Sequence, residues 1–263
     1  TQRYNSYANY IDAVDGYDIT LTIDTTIQSY LEKALEEGVK DFDIRDGAFG
    51  IAMDPKTGAI LGIASTPDFD PNDYSAIVNE MLLSELEENS AEIYESLKAN
   101  NTEHLTDSEL MAKAESQARS DARNTQWRNK AIDSRYEPGS VFKAIILAAA
   151  LEEGVVSESD TFYCPGYVNV PGYPEPIHCA NRRGHGSQTL AEAVAHSCNP
   201  AFIEIGSRLG VDTFYDYFEA FGMLENTGID LPGEASLKGA VWSREDMTNV
   251  DLAVASFGQR FEI

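Results

Sequence analysis

The sequence predicts an α/β fold in which an antiparallel sheet is flanked by helices. Three stretches carry the prediction. Residues 18–24 alternate in polarity and are rich in Ile and Thr, the pattern of a half-buried strand. Residues 47–53 and 59–64 are two more β-rich runs. The segment Asp54-Pro55-Lys56-Thr57-Gly58 between them has the composition of a turn, so the pair reads as a hairpin of a central antiparallel sheet. Residues 140–153 form the most hydrophobic helix, and Lys143 is the only charged residue between Ser140 and Leu151. A helix apolar nearly all round is expected in the interior.

The other elements follow in order. Residues 25–39 place Ile27, Leu31, Ala34 and Leu35 at helical spacing, with a stop expected at Gly38. Residues 71–130 are polar and helix-prone, with few large apolar side chains after Leu97, and read as a helical excursion from the core. Pro138-Gly139 breaks the chain before the apolar helix, and Gly154 is placed to end it. Residues 161–186, rich in Gly, Pro and Tyr, are a structured loop carrying Cys164 and Cys179. Helices are predicted over 189–196, 200–210 and 211–221, and from Leu252 to Ser256. Residues 1–16 read as a linker from an upstream region and 17–263 as one domain.

Composition excludes some function classes. The chain of 263 residues has 19 basic against 44 acidic residues, a net charge of −25. Phosphate binding needs clustered Lys and Arg, so nucleic acid is excluded as a partner. No run of about twenty apolar residues is present, so no segment reads as a membrane span. Nor does any segment read as a signal peptide. The N-terminal Thr1-Gln2-Arg3-Tyr4 has the look of an interior stretch, with an anchoring segment expected upstream.

The chemistry concentrates at Glu137-Pro138-Gly139-Ser140-Val141-Phe142-Lys143. Ser140 and Lys143 sit one helical turn apart and share a face. Burial penalises the ammonium, and the positive end of the helix dipole acts in the same direction, so Lys143 is expected to lose its proton more readily than an exposed lysine. A partly neutral lysine beside a hydroxyl is an activated nucleophile. The alternative for Ser140 is an ordinary N-cap, and Ser-x-x-Lys alone is a weak signal. It gains weight from Ser197-Cys198-Asn199, the only Ser-x-Asn in the chain. Taken alone, Ser197 could be a helix cap and Asn199 a turn residue before Pro200.

Ser140-x-x-Lys143 with Ser197-x-Asn199 resembles the penicillin-interacting serine enzymes. Further segments narrow the resemblance to class B penicillin-binding proteins, the monofunctional peptidoglycan D,D-transpeptidases. These are Leu21-Thr22-Ile23-Asp24, Asp54-Pro55-Lys56-Thr57-Gly58-Ala59-Ile60-Leu61, Arg128-Asn129-Lys130-Ala131, Tyr136-Glu137-Pro138-Gly139-Ser140, Gly184-His185-Gly186, Gly228-Ile229-Asp230-Leu231-Pro232-Gly233-Glu234 and Ser256-Phe257-Gly258-Gln259. Within the family the chain is most similar to sporulation-type (stage V sporulation protein D-like) and elongation-type enzymes of Gram-positive bacteria. The family's third motif, Lys-Thr/Ser-Gly, lies C-terminal of Ser-x-Asn. Lys56-Thr57-Gly58 has the letters but precedes the nucleophile, and reads as a decoy in the hairpin turn. The true motif, with the last strands of the sheet, is expected after Ile263.

The resemblance implies the transpeptidase and serine β-lactamase-like fold, with the nucleophile helix between the sheet and a helical lobe. It implies a D,D-transpeptidase that cross-links peptidoglycan stem peptides through an acyl-enzyme on Ser140 and is acylated by β-lactams. Lys143 is then the general base, Ser197 a proton relay, and Asn199 a donor to the substrate backbone. A membrane glycosyltransferase partner and a place at the extracytoplasmic face of the bacterial membrane are implied too. The rivals are a D,D-carboxypeptidase or β-lactamase, and a non-catalytic β-lactam-binding sensor or scaffold.

Cys164, Cys179 and Cys198 are an odd set, and two readings of them stand. Cys164 and Cys179 could form a disulfide, leaving Cys198 as a small buried residue. Alternatively, Cys164, Cys179, His185 and Cys198 make a Cys₃His zinc site, the ligand count of a closed structural centre. The 161–186 loop needs a staple, and His185 between two glycines has a free approach, which favours zinc. Some elongation-type relatives are similar in placing metal ligands beside this motif. His178 is a spare ligand, while His104 and His196 read as solvated or structural. Zinc is expected to have a structural role, with no cofactor needed for catalysis.

Overall fold

The computed structural model describes residues 15–44, 47–101 and 104–263. It divides into two compact units, one ending at Ala131 and the other comprising Ile132–Ile263.

In the first unit, helix α1 (Thr25–Phe42) starts at Asp24, whose carboxylate caps the N–H groups of Thr26 and Ile27. The helix does not stop at Gly38. It runs a further turn to Asp43, which takes the left-handed conformation (φ 49°) and ends it. A single glycine costs a helix about 1 kcal/mol, too little to halt one with a better terminator ahead. Strands β1 (Ala48–Met53) and β2 (Ile60–Thr66) pair antiparallel, with Ile51 opposite Ile63 and a bulge at Ala52/Met53. Their turn is built around Asp54, whose carboxylate accepts from the Lys56 N–H and the Thr57 hydroxyl. Lys56-Thr57-Gly58 is thus turn material, as its composition predicts.

Residues 18–24 form no ladder. Thr22 Oγ1 donates to the Ile60 carbonyl and the Asp24 N–H to that of Leu61, but Tyr17, Ile19 and Leu21 are exposed. The next backbone groups along β2 are already taken. Gln28 of α1 donates to the Ile63 carbonyl at 2.9 Å and accepts from its N–H at 2.8 Å. The alternating pattern is real, but a strand also needs a free edge to pair with.

Helices α2 (Glu80–Ala99) and α3 (Asp107–Gln126) fill much of the segment 71–130. A Thr106–Glu109 capping box starts α3. Leu110, Ala114, Ala118, Ala122 and Gln126 recur every fourth residue as its buried stripe, and small alanines let α2 approach closely. Helix α4 (Lys130–Asp133) is a single turn.

In the second unit, Gly139–Phe142 is a 3-10 turn that runs into α5 (Lys143–Glu152). Gly154 (φ 65°) ends α5, with N–H bonds from Gly154 and Val155 to Leu151 and Ala150. The expected burial holds for one face. Phe142, Lys143, Ile146, Ala149 and Ala150 are buried, whereas Val141, Ala144, Ala148 and Leu151 are exposed. The 161–186 loop has more order than its composition predicts. Strands β3 (Thr161–Cys164) and β6 (Gly186–Thr189) pair antiparallel around the inner pair β4 (Tyr167–Val168) and β5 (Ile177–His178). Among the described residues the ladders are thus three two-stranded sheets rather than one central sheet.

Helices α6 (Leu190–Ala195), α7 (Asn199–Leu209), α8 (Val211–Ala220) and α9 (Asn249–Ala255) complete the unit. Capping boxes Thr189–Glu192 and Thr248–Asp251 start α6 and α9. The core gathers Phe142 and Ile146 with Phe202, Ile205, Phe214, Phe218 and Phe261. The ring of Phe142 meets that of Phe261 edge-on at 4.8 Å, which anchors the 3-10 turn in the core from below. Helix α7 crosses α9 at Gly206, where a Cβ would strike Ser256.

Candidate active site

The 3-10 turn sets the relation between Ser140 and Lys143. Side chains at i and i+3 eclipse in a 3-10 helix, whereas they are offset in an α-helix. Ser140 is exposed while Lys143 is only 4% exposed, so the hydroxyl faces solvent and the amine lies directly beneath it. Lys143 Nζ stands 3.1 Å from Ser140 Oγ.

Three further oxygens surround that nitrogen: the Ser197 carbonyl at 2.8 Å, Ser197 Oγ at 2.9 Å and Asn199 Oδ1 at 2.7 Å. The carbonyl and the amide oxygen can only accept, so they claim two N–H bonds. A neutral amine has only two N–H bonds. Its lone pair is then left for the hydroxyls of Ser140 and Ser197. Burial pushes Lys143 down to about 8 from an ordinary 10.5, against an opposing pull from Cys179 and Cys198. The Phe202 ring lies 5.4 Å from Nζ and lines the apolar side.

The second motif is positioned by a helix end. Helix α6 closes with bonds from the Ser197 N–H to Val194 and from the Cys198 N–H to Ala193. Ser197 therefore occupies the left-handed position (φ 49°) that glycine usually takes. The strain of a side chain there is about 1–2 kcal/mol. It turns the Ser197 carbonyl out of the helix and onto Lys143. Asn199 opens α7, and its Nδ2 donates to the His178 carbonyl at 3.1 Å, which fixes its Oδ1 towards the lysine. The structure thus brings all four predicted residues together: Ser140, Lys143, Ser197 and Asn199. Asn199, expected as a donor towards substrate, spends its oxygen on Lys143 and one N–H on His178.

Two contacts that the sequence does not flag hold the 3-10 turn that carries Ser140. The Gly139 N–H donates to the Gly258 carbonyl at 2.8 Å, and a Cβ on Gly258 (φ 86°) would be driven into the Gly139 carbonyl. Glu137 Oε1 accepts the Arg260 N–H at 2.7 Å. The segment Ser256-Phe257-Gly258-Gln259 is thereby strapped to the Ser140 turn. Glu137 serves as a tie.

The cysteines converge as well. The ligand atoms of Cys164, Cys179, His185 and Cys198 all lie within 4.8 Å of one another, and all three cysteines are buried free thiols. Cys179 Sγ is 3.7 Å from His185 Nδ1. Bond lengths of ~2.3 Å to sulfur and ~2.0 Å to nitrogen in a tetrahedron separate ligands by about 3.5–3.8 Å, so the donor set fits zinc. Gly166 and Gly184 permit the close chain crossing that forms the pocket, since a Cβ on either would strike backbone of the opposite limb. The Cys₃His cluster abuts the cluster of Ser140, Lys143, Ser197 and Asn199 in sequence and in space. Cys198 lies between Ser197 and Asn199, and Cys179 follows His178. The spare candidate His178 is not in the cluster; its ring packs against Tyr167. His196 stacks on His185 with centroids 4.4 Å apart.

The family model described as the penicillin binding protein transpeptidase domain matches residues 48–259. Stage V sporulation protein D of Bacillus subtilis (strain 168) is 36% identical over 252 residues, covering 95% of this chain and 31% of its own length. The chain thus spans under a third of that relative. Among solved structures, the D,D-transpeptidase domain of a peptidoglycan glycosyltransferase from Eggerthella lenta superposes with a TM-score of 0.64 at 29% identity, over 92% of this chain and 46% of that one. Penicillin-binding protein A from M. tuberculosis, solved as a ceftriaxone acyl-enzyme, gives a TM-score of 0.62 at 25% identity over 92% of this chain and 47% of that one.

Proposed function

This chain belongs to the penicillin-binding protein transpeptidase family and has its α/β fold, and from that premise we propose that it carries the nucleophile and general-base half of a peptidoglycan D,D-transpeptidase centre. One observation carries the reading: a buried lysine within hydrogen-bond reach of Ser140 Oγ, Ser197 Oγ and Asn199 Oδ1.

In the proposed reaction, Ser140 Oγ attacks the carbonyl carbon of the penultimate D-alanine of a stem peptide, and Lys143 Nζ takes its proton. The tetrahedral oxyanion is met by the Ser140 backbone N–H, which lies at the start of the helical run where no preceding turn claims it. Collapse breaks the peptide bond. The proton passes through Ser197 to the departing D-alanine amine, leaving an ester on Ser140. An acceptor amine from a second stem peptide then attacks the ester, with Lys143 and Ser197 moving the proton in reverse. A β-lactam is opened by the same first step. The Ser197 carbonyl and Asn199 keep Lys143 aimed, and Asn199 has a second N–H for the substrate backbone.

Cys164, Cys179, His185 and Cys198 would hold one zinc ion. Its contribution would be structural: these four ligands would tie the 161–189 segment to the start of α7, beside Ser197, Asn199 and the His178 carbonyl. Location at the outer face of the membrane and a glycosyltransferase partner are part of the same reading. Among the described residues no helix is long and apolar enough to cross a membrane.

The test is product analysis with a synthetic stem pentapeptide and an acceptor amine. Cross-linked amide product supports the transpeptidase. Hydrolysed tetrapeptide alone would favour a carboxypeptidase, and an acyl-enzyme that never turns over would favour a sensor or scaffold.

A further inference from the structure

Gln188 lies in β6, where its side chain points inward between a Ser and a Thr that face out. It is 3% exposed. Its Oε1 is 3.0 Å from His196 Nδ1. Its Nε2 is buried and has no hydrogen-bond partner, alone among the described buried side chains. A buried primary amide with idle N–H groups has lost its water without a replacement, so an acceptor is called for. Cys198 lies two residues beyond His196, and its fully buried thiol is a side-chain neighbour of the same amide. A neutral thiol is a poor acceptor, whereas a metal-bound thiolate is a good one. His196, which holds the other end of the amide, stacks flat on the ligand His185 (4.4 Å, 5°).

We propose that Gln188 is a positioning residue for the metal centre. Its Nε2–H donates to the Cys198 thiolate when zinc is bound, and its Oε1, through His196, fixes the plane of the His185 ring. The proposal rests on the zinc reading and extends it. One residue thereby orients two of the four ligands, and one of those ligands sits between Ser197 and Asn199. Metal ligands are commonly oriented by such outer hydrogen bonds, and losing one typically weakens metal binding about 10–100-fold.

The test uses the whole 263-residue chain, titrated with Zn²⁺ and with Co²⁺ against a chelating indicator. Gln188→Met keeps the volume and removes both polar ends. His196→Phe keeps the stacked ring and removes only the bond to Oε1. The expected result is that Q188M binds zinc 10–100-fold more weakly. Its cobalt–thiolate charge-transfer band should move to lower energy, because a thiolate relieved of a hydrogen bond donates more readily. H196F should leave that band in place. Q188M with unchanged affinity and an unmoved band would overturn the assignment of Gln188 while leaving the zinc site standing. Failure of the unsubstituted protein to bind stoichiometric metal would overturn both. Should Q188M not fold, the protein loaded with ¹¹³Cd gives the answer without substitution. A scalar coupling between the Gln188 amide proton and cadmium through the Cys198 sulfur is expected, and its absence refutes the bond.

Discussion

The pH dependence of acylation follows from the surroundings of Lys143. Burial lowers its pKa from 10.5 to about 8. In the proposed reaction the neutral amine is the reactive form, so the rate should rise with pH and level off above 8. At pH 7 about a tenth of the lysine is neutral, against about one part in three thousand for an unshifted amine, a gain of roughly 300-fold in competent enzyme. Between pH 6 and 9 the neutral fraction climbs from about 1% to about 90%, so the second-order rate constant should rise about 90-fold, with unit slope below pH 7. The assay is the time course of adduct formation with a fluorescent penicillin, followed by intact-protein mass and corrected for the reagent's own hydrolysis. A rate flat from pH 6 to 9 would refute the assignment of Lys143 as base. A rate still climbing with unit slope at pH 10 would show that the pocket does not depress the amine.

Four substitutions or treatments extend the account. Ser197→Ala removes the relay and should slow acylation by about 10²–10⁴-fold without changing thermal stability, because among the described residues Ser197 Oγ bonds only to Lys143; a loss of stability equal to the loss of rate would contradict this. Asn199→Leu leaves the His178 carbonyl and one Lys143 N–H unpaired, and should cost about 1–3 kcal/mol in denaturant titrations together with activity. Gly258→Ala drives a Cβ into the Gly139 carbonyl at a left-handed position, and should cost about 2–3 kcal/mol and reduce penicillin labelling, whereas Gly222→Ala, also left-handed but in open space, should cost less and leave labelling intact. Metal removal by a strong chelator should lower the thermal midpoint and the acylation rate together, with zinc restoring both.

The legible parts of the site are those whose geometry is local. Ser140 and Lys143 are one turn apart, and a single charge in an apolar run is visible in the letters alone. The Cys₃His set could be counted, though its convergence depends on Gly166 and Gly184 bringing two limbs of a loop together. The family resemblance joined Ser197 and Asn199 to the lysine; spacing alone could not, because the link is made by the left-handed turn at the end of α6. The backbone contributions were hidden for the same reason. The Ser197 and His178 carbonyls act through φ and ψ, which carry no side-chain signature. Gln188 reads as an ordinary polar residue until the fold buries it. The misread strand at 18–24 and the misread stop at Gly38 share a cause. Local pattern states what a segment can do, and a competing partner, Gln28 in one case and Asp43 in the other, decides what it does.

Mapping the covalent adduct tests the central claim most directly. After brief reaction with labelled penicillin, proteolysis and tandem mass spectrometry should find the label on Ser140 and nowhere else, and Ser140→Ala should abolish it while Cys164, Cys179 and Cys198 stay unmodified. Label on another residue, or undiminished labelling of the Ser140→Ala protein, would contradict the account.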